Sequence, residues 1–166
     1  GVDLVGSNFF STRKNQDSLN FRAPRATFDG KKKIIYCSKV EYIDVADARI
    51  YPDSMKVIIR KKAKMDELQN ASIVANYITK YHSFKEATVK IKAKRDYEAS
   101  GQYPYFDVDS NVTYIAMNNI GLDTAFQTKA SGKVAVDEDF KLSAEFDFYG
   151  DVSIHADNPL ISFSGA

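Results

Sequence analysis

The chain has 166 residues, 23 Lys+Arg against 22 Asp+Glu, and 44% hydrophobic residues that include eleven Phe and ten Tyr but no Trp. That suffices for one domain with a real core, and a net charge of +1 gives little electrostatic case for nucleic acid as a partner. No run approaches the ~18 consecutive apolar residues of a membrane helix, and a single cysteine, Cys37, excludes an internal disulfide.

Residues 1–18 are rich in Ser, Asn and Gly and show no clean period, so they are expected to be loose or paired with sequence outside this stretch. Residues 19–166 then form a single β domain, expected to be a piece of a longer protein. Leu19–Ala23 and Ala26–Phe28 read as short extended segments joined at Pro24 and closed by the turn pair Asp29-Gly30. Lys33–Cys37 and Val40–Val45 follow as strands, with Cys37 a small buried hydrophobe beside Ile35 and Tyr36. Pro52-Asp53-Ser54 makes a turn between Arg49–Tyr51 and Met55–Arg60. Good helix formers in Arg60–Gln69 predict a short helical turn near 64–69, and Ala71–Tyr77 is extended again.

Glu86–Gly101 carries the clearest pattern. Ala87, Val89, Ile91, Ala93, Tyr97 and Ala99 alternate with Thr88, Lys90, Lys92, Lys94, Asp96 and Glu98, the period-2 signature of one long strand with a dry and a wet face. Arg95 falls on the dry side, where an unpaired charge is costly, so either it meets a carboxylate or the strand bulges or leaves the core there, and the second is expected. Val112–Asn118, Ala125–Val136, Lys141–Tyr149, Val152–Ala156 and Leu160–Phe163 complete the series, with Leu142, Ala144, Phe146 and Phe148 expected on one buried face. Together these predict an all-β fold, an irregular β-roll, jellyroll or solenoid-like stack of mostly antiparallel strands.

A short pattern (polar, Ala, any, Ile or Val) recurs at Asp47–Ile50, Asn70–Ile73 and Glu86–Val89 without a fixed period. It fits rungs of unequal length with small residues inside and glycines at corners or bulges, or the chance recurrence of common residues. Ile43–Ser54 (I-x-V-x-D-A-x-I-x-P-D-S), Leu68–His82 (L-x-N-A-x-I-x-A-N-x-x-x-K-Y-H) and Phe140–Val152 (F-x-L-S-A-x-F-x-F-x-G-x-V) resemble segments of very large, uncharacterised envelope proteins of Gram-negative anaerobes. The rung pattern is also loosely similar to the β-jellyroll family of lipopolysaccharide transport (organic-solvent tolerance). That second resemblance implies an open β-roll whose interior cradles acyl chains. Asp17-Ser18-Leu19, Asp53-Ser54-Met55 and Asp123-Thr124-Ala125 look like the O-glycosylation signal some such bacteria place on exported proteins, which points to a periplasmic or envelope address.

Catalytic sets are not legible. His82 and His155 stand alone, with no His-x-His or His-x-x-x-His spacing, and each is expected to be satisfied or exposed. Asp107-x-Asp109-x-Asn111 spaces three oxygen ligands as a hard cation requires, but Val112 and Asn118 occupy the EF-hand's Gly and Glu positions. A hairpin turn accounts for the same residues. Lys90, Lys92 and Lys94 line the wet face of the long strand as a candidate basic surface for anionic glycolipid or polysaccharide. The charge is also lopsided: residues 1–106 carry 20 Lys+Arg and 12 Asp+Glu, residues 107–166 carry 3 and 10. Such halves are either clustered solvated faces or ends that stack head to tail, with neighbouring repeats of the same chain as partners.

The expectation is a non-catalytic structural or binding module of an exported bacterial envelope protein. It needs no cofactor, binds no nucleic acid and has no transmembrane segment. The alternative is a lipid or lipopolysaccharide carrier using the interior of an open β-roll.

Overall fold

Every strand pairing in the computed structural model, which describes residues 1–165, is antiparallel. In chain order the strands are β1 (Val2–Phe10), β2 (Asn20–Asp29), β3 (Ile34–Ser38), β4 (Ile43–Val45), β5 (Ala48–Tyr51), β6 (Val57–Arg60), β7 (Lys64–Met65) and β8 (Leu68–Ala75). There follow β9 (His82–Ala93), β10 (Asp96–Phe106), β11 (Val112–Leu122), β12 (Thr128–Val134), β13 (Lys141–Ser143), β14 (Phe146–Asp147), β15 (Gly150–His155) and β16 (Ser162–Gly165). A five-stranded sheet runs β1-β2-β3-β6-β7, a nine-stranded sheet runs β16-β15-β12-β11-β10-β9-β8-β5-β4, and β13-β14 is a separate hairpin. The fold is all-β, as its alternating sequence requires.

The long run Glu86–Gly101 is two strands, not one. The chain turns at Lys94-Arg95, with Ala93 opposite Asp96. An unbroken ladder from that pair would place Tyr97 opposite Lys92 and flip the buried set to even numbers. Instead the register slips by one, and Tyr97 faces Ile91. Ala87, Val89, Ile91, Ala93 and Tyr97 are therefore all buried, and the alternation passes through the turn unmarked. Arg95 sits exposed in that turn. Its guanidinium lies 2.8 Å from Asp17 and 4.8 Å over the Phe126 ring, so it leaves the core and also meets a carboxylate.

A row of bulges bends the large sheet into a half-barrel. β8 bulges at Asn70 (φ 53) and β9 at Glu86 (φ 50), and β11 holds an extra residue opposite the Ala99–Gly101 step of β10. At each bulge the buried parity changes: Leu68 gives way to Ala71 and Ile73, Phe84 to Ala87 and Val89, Met117 to Ile120. Bulges raise local twist and curvature, so side chains on the inside of the bend converge. Small residues stand there. Ala71 faces Ala87 in the ladder, and a Cβ on Gly101 would come within 2.9 Å of the Ala87 Cβ. The recurring alanines Ala48, Ala71 and Ala87 are all fully buried, on the adjacent strands β5, β8 and β9.

Three local expectations are corrected. Residues 1–18 are not loose: β1 pairs with β2 from Val2↔Phe28 to Phe10↔Asn20, and a 3-10 turn follows at Lys14–Gln16. The helical turn is a single 3-10 turn at Lys61–Ala63. Residues 64–65 pair as β7 with β6, and Leu68 opens β8, because burying Met65 and Leu68 outweighs helix propensity. Lys141–Tyr149 is a hairpin, not one strand, and of its expected buried face only Phe148 is fully buried, while Phe146 is exposed. Among the described residues no helix is long and apolar enough to cross a membrane.

The core is continuous across both sheets, from Leu19, Phe21 and Val57 through Ile43, Ile50, Ile73 and Ile91 to Ile115, Met117, Val152 and Ile154. Cys37 lies within it, 2% exposed, and burial pushes its thiol up to about 11, so it stays a neutral hydrophobe at neutral pH. An aromatic cluster of Tyr105, Phe140, Phe148 and Phe163 fills the far end of the half-barrel, with ring centroids 5.0–6.3 Å apart.

Candidate functional site

The inner face of the half-barrel is crossed by two polar clamps. On the β4–β5 turn, the Asp47 carboxylate accepts from the Thr128 N–H (2.9 Å) and hydroxyl (2.7 Å). β5 and β12 are separated in the sheet by β8, β9, β10 and β11, so this contact spans the curl. A carboxylate only accepts, so Thr128 Oγ1–H donates to Asp47 and the Tyr97 hydroxyl, 2.7 Å away, donates to Thr128. Burial raises the Tyr97 phenol far above its ordinary value. The second clamp is His82, 1% exposed: Nε2 donates to the Asn158 carbonyl (2.6 Å), and in the neutral ring Nδ1 accepts from the Tyr103 hydroxyl (2.8 Å). Both clamps tie together segments far apart in the chain and read as closures of the fold.

The solvent face of the same strands is different. An open trough of about 940 Å³ runs over β9, β10, β11, β12 and β15. Hydroxyls and amides line it, from Thr88, Ser100, Asn118, Asn119, Ser131 and Ser153, together with Lys90 and Lys129. Glu67 and Glu98 line it as well. These polar side chains stand there because outward positions alternate with the core positions on each strand, and the bulge in β11 leaves the neighbouring Asn118 and Asn119 both exposed.

The three predicted lysines divide. Lys90 lines the trough. Lys92 is bonded to Glu98 at 2.7 Å, which raises the lysine and lowers the glutamate. Lys94 has turned away into the hairpin, where its Nζ donates to the Asp44 carbonyl at 3.2 Å and its N–H to the Gln16 carbonyl at 2.9 Å. The basic face is thus not the row Lys90, Lys92, Lys94 but the pair Lys90 and Lys129. Lys129 comes from a strand that sequence alone does not bring beside β9. Neither lysine has a carboxylate at ion-pair distance among the described residues.

Asp107, Asp109 and Asn111 form the β10–β11 turn. Asp107 Oδ1 accepts from the N–H of Asp109 and of Asn111, both at 2.9 Å, and the Asp107 N–H donates to the Asn111 carbonyl at 3.0 Å. The same construction closes the next hairpin, where Asp123 Oδ1 accepts from Ala125 (2.9 Å) and Gln127 (3.0 Å). These carboxylates hold turns, as aspartates at such positions do. No group of three or more His, Cys, Asp or Glu among the described residues is arranged to hold a metal.

Sequence reasoning missed one titratable cluster. His155 donates through Nε2 to Asp123 at 2.7 Å and is bonded through Nδ1 to Asp157, joining the β11–β12 turn to the end of β15. Asp123, opposed by partial burial and helped by Asp157, raises the imidazole above its ordinary value. The backbone N–H of Gln127 first, then His155, lower Asp123. Nothing in the spacing of residues 123, 155 and 157 announces it. The hydroxyl-bearing residues of the three Asp-Ser/Thr triplets, Ser18, Ser54 and Thr124, are all exposed in turns.

No protein-family model, curated protein or solved structure matches this chain.

Proposed function

We propose that the protein is a non-catalytic structural or binding module of an exported bacterial envelope protein, and that its outer trough takes an anionic glycan. One observation carries the reading: Lys90 and Lys129, neither with an ion-pair partner among the described residues, share an open trough with the hydroxyls and amides of Thr88, Ser100, Asn118, Asn119, Ser131 and Ser153, which Glu67 and Glu98 also line. Hydroxyl and amide groups exchange hydrogen bonds with sugar hydroxyls, and ammonium groups serve as point charges for carboxylate or phosphate. The exposed hydroxyls of Ser18, Ser54 and Thr124 support an exported address. The inner face offers less to a lipid. Phe84, Tyr97, Ile115 and Met117 occupy it, and Phe140 and Phe148 pack over its end.

The test is calorimetric titration with polygalacturonate, a lipid-free anionic polysaccharide, and with dispersed lipopolysaccharide. Saturable binding that weakens at least ~10-fold in Lys90→Glu/Lys129→Glu, a loss of roughly 1.4 kcal/mol or more, is the expected result. Lys92→Ala should change it less, since Lys92 is already paired with Glu98. Binding that the double substitution leaves intact, or no saturation with either probe, would refute the trough as the site.

A further inference from the structure

The charge is divided between segments of the chain. The small sheet and its turns, residues 1–40 and 52–66, carry thirteen Lys/Arg against five Asp/Glu, whereas residues 107–166 carry three against ten. The intervening segments, 41–51 and 67–106, carry seven of each and cancel. One sheet edge is also bare. β1 borders the small sheet for nine residues without a Lys, Arg or Pro, and Val5 and Phe10 are 69% and 67% exposed. Its only charge, Asp3, accepts the Thr27 hydroxyl at 3.0 Å. Natural edges are shortened or carry inward charge to prevent pairing, and β1 does neither. β7, with two residues, and β4, with three, are short as the rule expects.

We infer that β1 receives strand β16 of a second copy of this chain, so that copies join head to tail into a continuous sheet. β16 is the free edge of the nine-stranded sheet and lies in the acidic third, with Leu160 exposed beside it. Charge chooses between the possible pairings. β1 against β1 would press two small sheets of net +8 together, whereas β16 against β1 brings the −7 third onto the +8 sheet. A contact between two different edges does not close on itself, so copies add without limit. Neither edge belongs to the trough, and failure of this assembly leaves the glycan reading untouched.

Sedimentation velocity tests it. From ~10 to ~300 μM, a range that reports a small interface, the weight-average mass of the parent should climb past twice the 18.6 kDa protomer. It should fall back in ~0.5 M salt, where screening shortens to about 4 Å. Val5→Lys and Ser162→Lys/Ser164→Lys, all exposed positions, should each stay monomeric with the parent's melting temperature. Mixed together, the two variants should form a 1:1 dimer that grows no further, since one keeps its β16 and the other its β1. A parent that stays monomeric throughout overturns the proposal. So does a closed dimer that Val5→Lys abolishes and the β16 variant leaves intact.

Discussion

The curl of the large sheet depends on the absence of one methyl group. At Gly101 an added Cβ would lie 2.9 Å from the Ala87 Cβ and 3.2 Å from both the Ala87 Cα and the Lys85 carbonyl. Ordinary carbon contacts are about 3.5–4.0 Å, so Gly101→Ala must push two bulged strands apart. Overpacking of that kind costs ~1–3 kcal/mol. Removing a glycine from the unfolded chain returns ~0.4–1 kcal/mol. The net is a destabilisation of about 1 kcal/mol, or roughly 2–4 °C in Tm for a chain of this size. Ala87→Gly, which strips a fully buried methyl, should by itself cost about 1–2 kcal/mol from lost burial and a glycine in a strand. In the double variant the new methyl occupies the vacated space, so the cost should fall short of the sum by about 1 kcal/mol. Urea melts of all four proteins close the cycle. If Gly101→Ala melts with the parent, or if the two costs simply add, the bend is not held by this contact and the account of the half-barrel fails.

Thr128→Val keeps the shape of a fully buried side chain but removes the hydroxyl between Tyr97 and Asp47. It should cost ~1–3 kcal/mol by leaving buried groups unsatisfied, and Tyr97→Phe, which leaves Thr128 bonded to Asp47, should cost less in the same chemical melts. The pH dependence of stability follows from His155. Its folded value is raised by Asp123 and Asp157, so protonation favours the native state. That stabilisation is fully present below the unfolded histidine value of ~6.5 and is lost as pH rises through the higher folded value. The Tm difference between the parent and His155→Gln should therefore be widest near pH ~5.5–6 and vanish on the alkaline side. A difference that grows from pH ~6 to ~8 would show the sign to be wrong. Asp123, lowered in the fold, works the other way and loses its contribution only in strong acid, as pH falls through its depressed value.

What the sequence determined was which face of its clearly alternating strands meets the core. Alternation at Ala87, Val89, Ile91, Ala93 and Tyr97 marked a buried side that the structure keeps, with Ala99 half-buried and Arg95 exposed, and Asp29-Gly30 and Asp107–Asn111 marked turns that the chain makes. Of the trough, Lys90 was legible because it stands outward on a clearly alternating strand. Lys129 and Ser153 were not, because nothing local says that β12 and β15 lie two and three strands from β10. The tertiary structure decided the rest. It placed a hairpin at Lys94-Arg95, where a one-residue slip preserves the parity of the buried set and so erases the usual sign of a turn. It made a strand of Val2–Phe10, whose nearly uniform exposure leaves no alternation to read. It brought Thr128 to Asp47 across 81 residues. Alternation records only inside against outside; register and curl are set by ladder bonds and bulges, and these depend on residues far apart in the chain.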